Sequence, residues 1–430
     1  MIHSSAGIKA KHNMNILELA SADFGGGEPR GALELHEALL ARQIQSHLLV
    51  GRRRAPDVYD VEGLYDREKL SSRAWSKAKQ LYERATCRQA SANTKIRKWW
   101  AANQKQWDLV VCHNLHGNSF DLSFLPELTA AQPVVQIMHD LWLTTGHCAY
   151  PMDCPGVQRQ CGSCPDLARE PAVWIDRTHS ELLRKAAVVR EAQPTLVCVS
   201  SWLGEQVGKS QLRDVPRVVI PWGMPDITPP SESRTQLRER LGWPQDKVVF
   251  LYVSTGGLGG NLYKDPDTVV NTAIELVKSG QDKEKLIVTV GGIRPLDPSL
   301  SQLVRQYGRI PDTLVKEIYA AADYFIYPTS IETIGTVLIE AARASMPAIA
   351  VNVGGCPEIV VPGETGLVIP PKDPVSLARA MNTIQTMDRV AMGIAARRRY
   401  ENLYTVERMV DKHIALYTDL IEKRAARSAA

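Results

Sequence analysis

Short β-rich runs alternate with longer amphipathic stretches along nearly the whole chain, and this alternation restricts the fold more than any single motif does. Runs at Met14 to Ala20, Ser46 to Val50, Leu109 to Cys112, Val134 to Met138, Leu196 to Val199 and Arg217 to Ile220 are too brief for buried helices. The stretches between them, Gly31 to Arg42 for example, are long enough to cross a sheet, which is what parallel strands require. Residues 14–220 are therefore expected to form a Rossmann-like α/β domain. Prolines and a glycine then break both periodicities in Pro-Trp-Gly-Met-Pro-Asp-Ile-Thr-Pro-Pro, and residues 221–230 read as a linker. A second alternation fills 231–404, with strands at Val248 to Val253, Leu286 to Val290, Tyr324 to Tyr327 and Ala348 to Val351. Helices are expected between them at Pro266 to Ser279, Pro311 to Ala322 and Gly335 to Ala344. Residues 405–430 carry a last helix, Val406 to Arg424, with no strand after it, so it is free to pack back on the first domain. Residues 1–13 are polar and patternless; they are expected to be a disordered leader, with Met14 a candidate native start.

Two doubly wound domains place two sets of glycine loops and helix N-termini on either side of a cleft, an arrangement suited to anionic, nucleotide-like ligands. Gly25, Gly26 and Gly27 lie between the first strand and helix, where bare backbone N–H groups can approach a phosphate. The spaced glycines of a dinucleotide enzyme are not there, and a plain turn explains three glycines equally well. The second domain is richer. In Tyr327 to Glu340, Y-P-T-S-I-E-T-I-G-T-V-L-I-E, a strand ends in a loop bearing Glu332, Gly335 opens a helix, and Glu340 follows one to two turns later. Glu332 would accept from ligand hydroxyls, N–H groups at Gly335, Thr336 and Val337 would meet phosphate oxygens, and Glu340 would accept from a ribose diol. A solvated helix face is the competing explanation of two such glutamates.

The whole stretch from Ala321 to Pro371 resembles the donor-site signature of the family 4 glycosyltransferases, retaining enzymes of the two-domain GT-B fold that need no metal at the leaving diphosphate. The resemblance implies no cofactor for the chemistry, a nucleoside diphosphate sugar as donor, Glu332 at the sugar hydroxyls, Glu340 at the ribose and Gly335 to Val337 at the diphosphate. Gly25 to Arg42, Cys112 to Gly117 and Val134 to Cys148 look like the subgroup that builds capsular and exopolysaccharide repeats, including colanic-acid-type enzymes. In that pattern His139 lies at the donor sugar, so the implied catalytic set is His139, Glu332 and Lys264. One departure stands out. The family places an arginine and a Lys-Gly after the first strand of the second domain, whereas here Lys264 is preceded by no arginine and followed by Asp265. Extra glycine N–H groups or Arg294 are the candidates to supply the missing stabilisation of a departing diphosphate.

Lys+Arg 51 against Asp+Glu 47 gives a net +4, too small for a general nucleic-acid binder, so no specific nucleic acid is expected. The charge is local. Residues 66–105 hold eleven Lys/Arg against three acids, with Trp75, Trp99 and Trp100, which suits docking on an anionic membrane surface; a solvated hairpin with its tryptophans in the core fits as well. No apolar stretch is long enough to span a bilayer and no signal-type segment opens the chain, so a cytoplasmic protein, peripheral on the inner face of the membrane, is expected. Cys148, Cys154, Cys161 and Cys164 crowd into one loop with C-x5-C-x6-C-x2-C spacing, where a structural zinc, unpaired thiols and disulfides all remain open. These features together lead to a retaining glycosyltransferase acting on a growing glycan or lipid-linked oligosaccharide. A sugar-nucleotide epimerase and a non-catalytic nucleotide-sugar-binding scaffold are the alternatives.

Overall fold

The structure, a computed structural model, describes residues 14–24, 27–53, 60–64, 70–89, 94–116 and 120–429. The leader 1–13, Gly25 and Gly26 lie outside the described residues, and so do parts of the basic segment, including the side chain of Trp75.

Two parallel sheets organise the chain. The first contains β1 (Asn15–Ala22), β2 (Gln45–Arg52), β3 (Val61–Gly63), β4 (Leu109–Cys112), β5 (Val134–Met138), β6 (Thr195–Cys198) and β7 (Arg217–Val219), in the order β3-β2-β1-β4-β5-β6-β7. The second contains β8 (Val248–Val253), β9 (Lys285–Val290), β10 (Val304–Tyr307), β11 (Tyr324–Tyr327), β12 (Ala348–Val351) and β13 (Gly366–Ile369), in the order β10-β9-β8-β11-β12-β13. Every pairing is parallel, for instance Ile16 with both Ser46 and Leu109, and Phe250 with both Ile287 and Tyr324. Helices cover both faces, so the central strands are apolar throughout; Leu109–Cys112 and Tyr324–Tyr327 are buried at every position. In each sheet the strand order reverses direction next to the first strand, between β1 and β4 and between β8 and β11, and that crevice is where a doubly wound fold binds ligands.

The final helix, Val406–Ala429, returns to the first domain. Its Met409, Val410, His413 and Tyr417 are buried, and Arg424 donates to the carbonyl of Ala131 at 2.6 Å. The turn into it is clamped to the interdomain segment: Met224 N–H donates to the Tyr404 carbonyl at 2.8 Å and Val406 N–H to the Met224 carbonyl at 3.0 Å.

Candidate functional site

Lys264 and Glu332 meet at the switch point of the second sheet. Lys264 ends a short turn, Leu262–Lys264, after β8, and Glu332 lies in the loop after β11, so two loops leaving neighbouring strand ends deliver the pair. The lysine ammonium donates to Glu332 Oε2, and the Tyr327 hydroxyl donates to the same oxygen at 2.7 Å. Burial works to raise the pKa of Glu332, but Lys264 and Tyr327 outweigh it and hold the carboxyl below its usual range, so Glu332 is ionised at neutral pH. Asp265 stands in the left-handed region at φ 47°, the conformation a glycine would adopt without strain. An aspartate is kept there because its carboxylate caps the next helix, accepting from Thr268 Oγ1 at 2.7 Å and Thr268 N–H at 3.3 Å. Asp265 thus combines a backbone conformation open to glycine with a side-chain cap that glycine lacks.

Glu332 is fixed through its backbone as well. Gly355 N–H donates to the Glu332 carbonyl at 3.2 Å, and a Cβ on Gly354, at φ +58°, would fall 1.6 Å from that oxygen. Only glycine fits there. Gly335 then opens the helix Thr336–Arg343 with no side chain capping it, so the first N–H groups at Thr336 and Val337 remain available to an anion. Further along this helix, Glu340 Oε2 accepts from Tyr319 OH at 2.9 Å, and burial pushes the Glu340 carboxyl upward. The candidates for the missing arginine behave differently. Arg294 is tied to Asp267 at 2.8 Å, and Gly257 packs so closely on Gly292 that a Cβ would lie 2.3 Å from its nitrogen. Gly257 therefore joins two loops, a packing role.

His139 closes the opposite wall. It follows β5, and its carbonyl accepts from Thr333 Oγ1 at 2.9 Å, which ties the first domain to the residue next to Glu332. Its ring stacks on His113, with centroids 5.5 Å apart, and meets the edge of Trp222 at 5.2 Å. Burial pushes the His139 pKa down to about 3, so the ring is neutral. His113 leads in turn to Glu18 on β1. Sequence reasoning assigns no role to Glu18, His113, Asp140 or Tyr327; the available signal was a lone carboxylate inside an apolar strand. Asp140 accepts from Asn114, His116 and the Trp142 N–H, each at 2.8 Å, and shapes the loop that follows His139.

That loop borders a cavity of about 520 Å³ whose lining includes Gly27, Arg84, His116, Asp140, Tyr150 and, from the second domain, Tyr263. Gly27 begins the first helix, Gly27–Ala41, and faces this cavity. The four clustered cysteines, in the chain segment that continues from this loop, are free thiols, with none of them in a disulfide. Gly146 N–H donates to Cys161 Sγ at 3.2 Å, and Cys164 Sγ lies 3.4 Å from His147 Nε2. Among the described residues no three His, Cys, Asp or Glu side chains are gathered onto one metal position. In the basic segment Trp99 and Trp100 pack inward, unlike the membrane-docking expectation. Trp100 is buried edge-on against Phe124, and Trp99, His47 and Trp107 form a mutually stacked trio with centroids 5.6 to 6.2 Å apart. Among the described residues no helix is long and apolar enough to cross a membrane.

Two doubly wound sheets joined across a cleft, with a cation, an ionised carboxylate and an open helix N-terminus on one wall, define a GT-B architecture. Residues 233–399 match the family described as glycosyl transferases group 1, and they include Lys264, Glu332, Gly335 and Glu340. The chain is 30% identical over 213 residues to a D-inositol 3-phosphate glycosyltransferase of Geodermatophilus obscurus, covering 46% of each protein. It is 24% identical over 283 residues to the O-antigen chain mannosyltransferase C of Escherichia coli, covering 60% of this chain and 72% of that one. The chain spans about half the length of the inositol-phosphate relatives it matches. In fold it is similar to Anabaena HepE in complex with UDP-glucose, with TM-score 0.65 and 17% identity over 95% of this chain and 100% of the other.

Proposed function

We propose that the chain is a retaining glycosyltransferase that moves a sugar from a nucleoside diphosphate sugar to a hydroxyl of a growing, lipid-linked bacterial glycan of the exopolysaccharide, capsule or O-antigen type. The observation that carries this reading is the Lys264–Glu332 pair beside the open N-terminus of the helix Thr336–Arg343, facing His139. A carboxylate held ionised suits sugar hydroxyls, and a cation next to bare N–H groups suits a departing diphosphate. The acceptor hydroxyl attacks the anomeric carbon on the face from which the diphosphate leaves. The new glycosidic C–O bond forms as the C–O bond to phosphate breaks, and the hydroxyl proton passes to a phosphate oxygen. Lys264 and the helix N-terminus stabilise the developing charge, while Glu332 and His139 orient the sugar. Glu340 lies where it can accept from the ribose.

The 520 Å³ cavity beside His139 supplies room for the acceptor. A lipid-linked acceptor is supported by Leu81 (54% exposed) and Trp174 (57% exposed), the chain neighbours of the cavity-lining Gln80 and Val173, which accompany the basic helix Leu70–Thr86, with Trp174 N–H donating to the Arg84 carbonyl at 2.6 Å. On this reading the protein works at the cytoplasmic face of the cell membrane. Because a neighbour of the same fold binds UDP-glucose, uridine diphosphate sugars are the first donors to try. Purified protein incubated with UDP-, GDP- and TDP-sugars should release free nucleoside diphosphate from one of them, and NMR of the product should show a retained anomeric configuration. Conversion of a nucleotide sugar to its epimer would replace this reading by the epimerase, and binding without release by the scaffold.

A further inference from the structure

A buried carboxylate sits under His139. Glu18 is fully buried in the middle of β1, where its neighbours Leu17 and Leu19 are equally buried core. Both its oxygens are engaged: Ser46 Oγ donates to Oε1 at 2.7 Å, and His113 Nε2 lies 3.1 Å from Oε2. His113 Nδ1 in turn lies 3.3 Å from His139 Nε2, so a continuous chain runs from Glu18 to the cleft histidine. Burial alone would raise the Glu18 pKa, but hydrogen bonds with His113 and His36 bring it to about 2, and the group is an anion.

A fully buried anion needs a proton on a neighbour, and the partners differ in their fitness to carry it. His36 Nδ1 is 2.8 Å from Ser46 Oγ, but its Nε2 is buried with no partner among the described residues, so a second proton there would bury an unsatisfied N–H. His139 is disfavoured by its burial and by His113 beside it. His413 and Tyr417, from the final helix, also face the cluster, and burial pushes His413 down to about 3. Asp140 and His116 face His139 from the other side and are paired with each other. Only His113 has an acceptor at each ring nitrogen, Glu18 on one side and His139 Nε2 on the other.

We infer that Glu18 and His113 form a buried ion pair that positions His139: His113 donates from Nδ1 to His139 Nε2, which obliges His139 to carry its own proton on Nδ1. No described residue hydrogen-bonds His139 Nδ1, and the ring is partly exposed, so this N–H is the group His139 offers to a ligand in the cleft. Within the glycosyltransferase reading, on which this role rests, His139 is then a neutral hydrogen-bond donor to an oxygen of the donor sugar. Glu18 and His113 act through it and touch no substrate.

The test is ¹⁵N NMR of histidine-labelled full-length protein without ligand at neutral pH. His113 should show two protonated nitrogens, and His139 a single tautomer protonated at Nδ1. A His139 proton on Nε2, or a time-averaged mixture of tautomers, overturns the inference. Glu18→Gln keeps size and shape but removes the anion; it should return His113 to a neutral ring, release His139 into a tautomer mixture and lower turnover at least ten-fold in protein that circular dichroism shows to be folded, at a lower melting temperature. Unaltered ¹⁵N signals in a folded Glu18→Gln protein would also overturn it. Since the tautomer is read without substrate, protein that shows it but turns over no nucleotide sugar would count against the proposed function alone.

Discussion

Lys264 and Glu332, 68 residues apart in sequence, form a largely buried ion pair at the strand ends where the second sheet changes direction. The pair has two uses that pull against each other. In the free protein each charge compensates the other; under the proposed function, a bound donor needs the lysine at the diphosphate and the carboxylate at the sugar.

Replacing either member should therefore damage turnover more than fold. Lys264→Ala removes the cation proposed to stabilise the leaving diphosphate, and a loss of turnover of about 10²-fold or more is expected. Glu332→Gln keeps the volume and the contact with Tyr327 but loses the charge, costing roughly 1.5–3 kcal/mol of ligand interaction. Steady-state kinetics on the accepted nucleotide sugar, with circular dichroism as the fold control, decides both; full activity in either variant would remove that residue from the site.

Acid should destabilise the protein earlier than its carboxylates alone would dictate. His139 and His413 are held neutral in the fold with pKa values near 3, whereas in the unfolded chain they take up protons as the pH falls through about 6.5. Across that window the unfolded state binds more protons, so stability drops with falling pH by about 1.4 kcal/mol per pH unit for each histidine. Glu18 acts in the same direction over a lower range: its stabilising effect is complete above pH 4.5 and lost as pH falls toward 2. Urea unfolding between pH 7 and 5 should show the histidine slope, and His413→Phe should reduce it by about half. A flat profile in this range would contradict the buried neutral rings.

The expectations made from sequence met the structure unevenly, and for physical reasons. The central strands were legible because burial on both faces makes them continuous apolar runs. The strands that escaped notice, Val61–Gly63, Val304–Tyr307 and Gly366–Ile369, are all sheet edges. An edge strand is short and half polar, as V-R-Q-Y at 304–307 shows, and carries little periodicity. In the site, Lys264, Glu332 and Glu340 stand out because one strand–loop–helix unit and the loop beside it carry them within a long recognisable stretch. The Glu18 cluster does not, since His36, Ser46 and His113 come from positions up to 95 residues away, and no local pattern links them.

Membrane docking should depend on a different surface from the one the tryptophan count points to. Trp99 and Trp100 are occupied in packing, and Arg97 pairs with Glu127 at 2.6 Å. Leu81, Tyr82, Trp174 and Ile175 are exposed beside basic residues of the helix Leu70–Thr86. Binding to vesicles containing anionic lipid should weaken as salt rises, and Leu81→Asp with Trp174→Ser should abolish it, while Trp99→Phe leaves it intact. Equal recovery on neutral vesicles would remove the membrane from the account.

The cysteine loop yields the last prediction. Burial raises the thiol pKa values of Cys161 and Cys164, and that of Cys148 to about 12, so without a metal these groups are protonated and unreactive. His147 adds a ligand type that the cysteine spacing does not announce. Its Nδ1 lies 2.9 Å from the Pro171 carbonyl, which fixes the proton there and leaves Nε2 an electron pair, 3.4 Å from Cys164 Sγ. A structural zinc would have to draw His147, Cys154, Cys161 and Cys164 together, since no three of them share one metal position here; bound, it would displace the thiol protons and brace the 520 Å³ cavity, which His147 lines. Protein purified without added metal should contain close to one zinc per chain. Cys161→Ser with Cys164→Ser should release it, His147→Ala should weaken it, and Cys148→Ser should leave it bound. Cobalt substitution should show thiolate charge-transfer bands that disappear in the double variant, whereas metal-free protein with four freely titrating thiols in this loop would end the proposal.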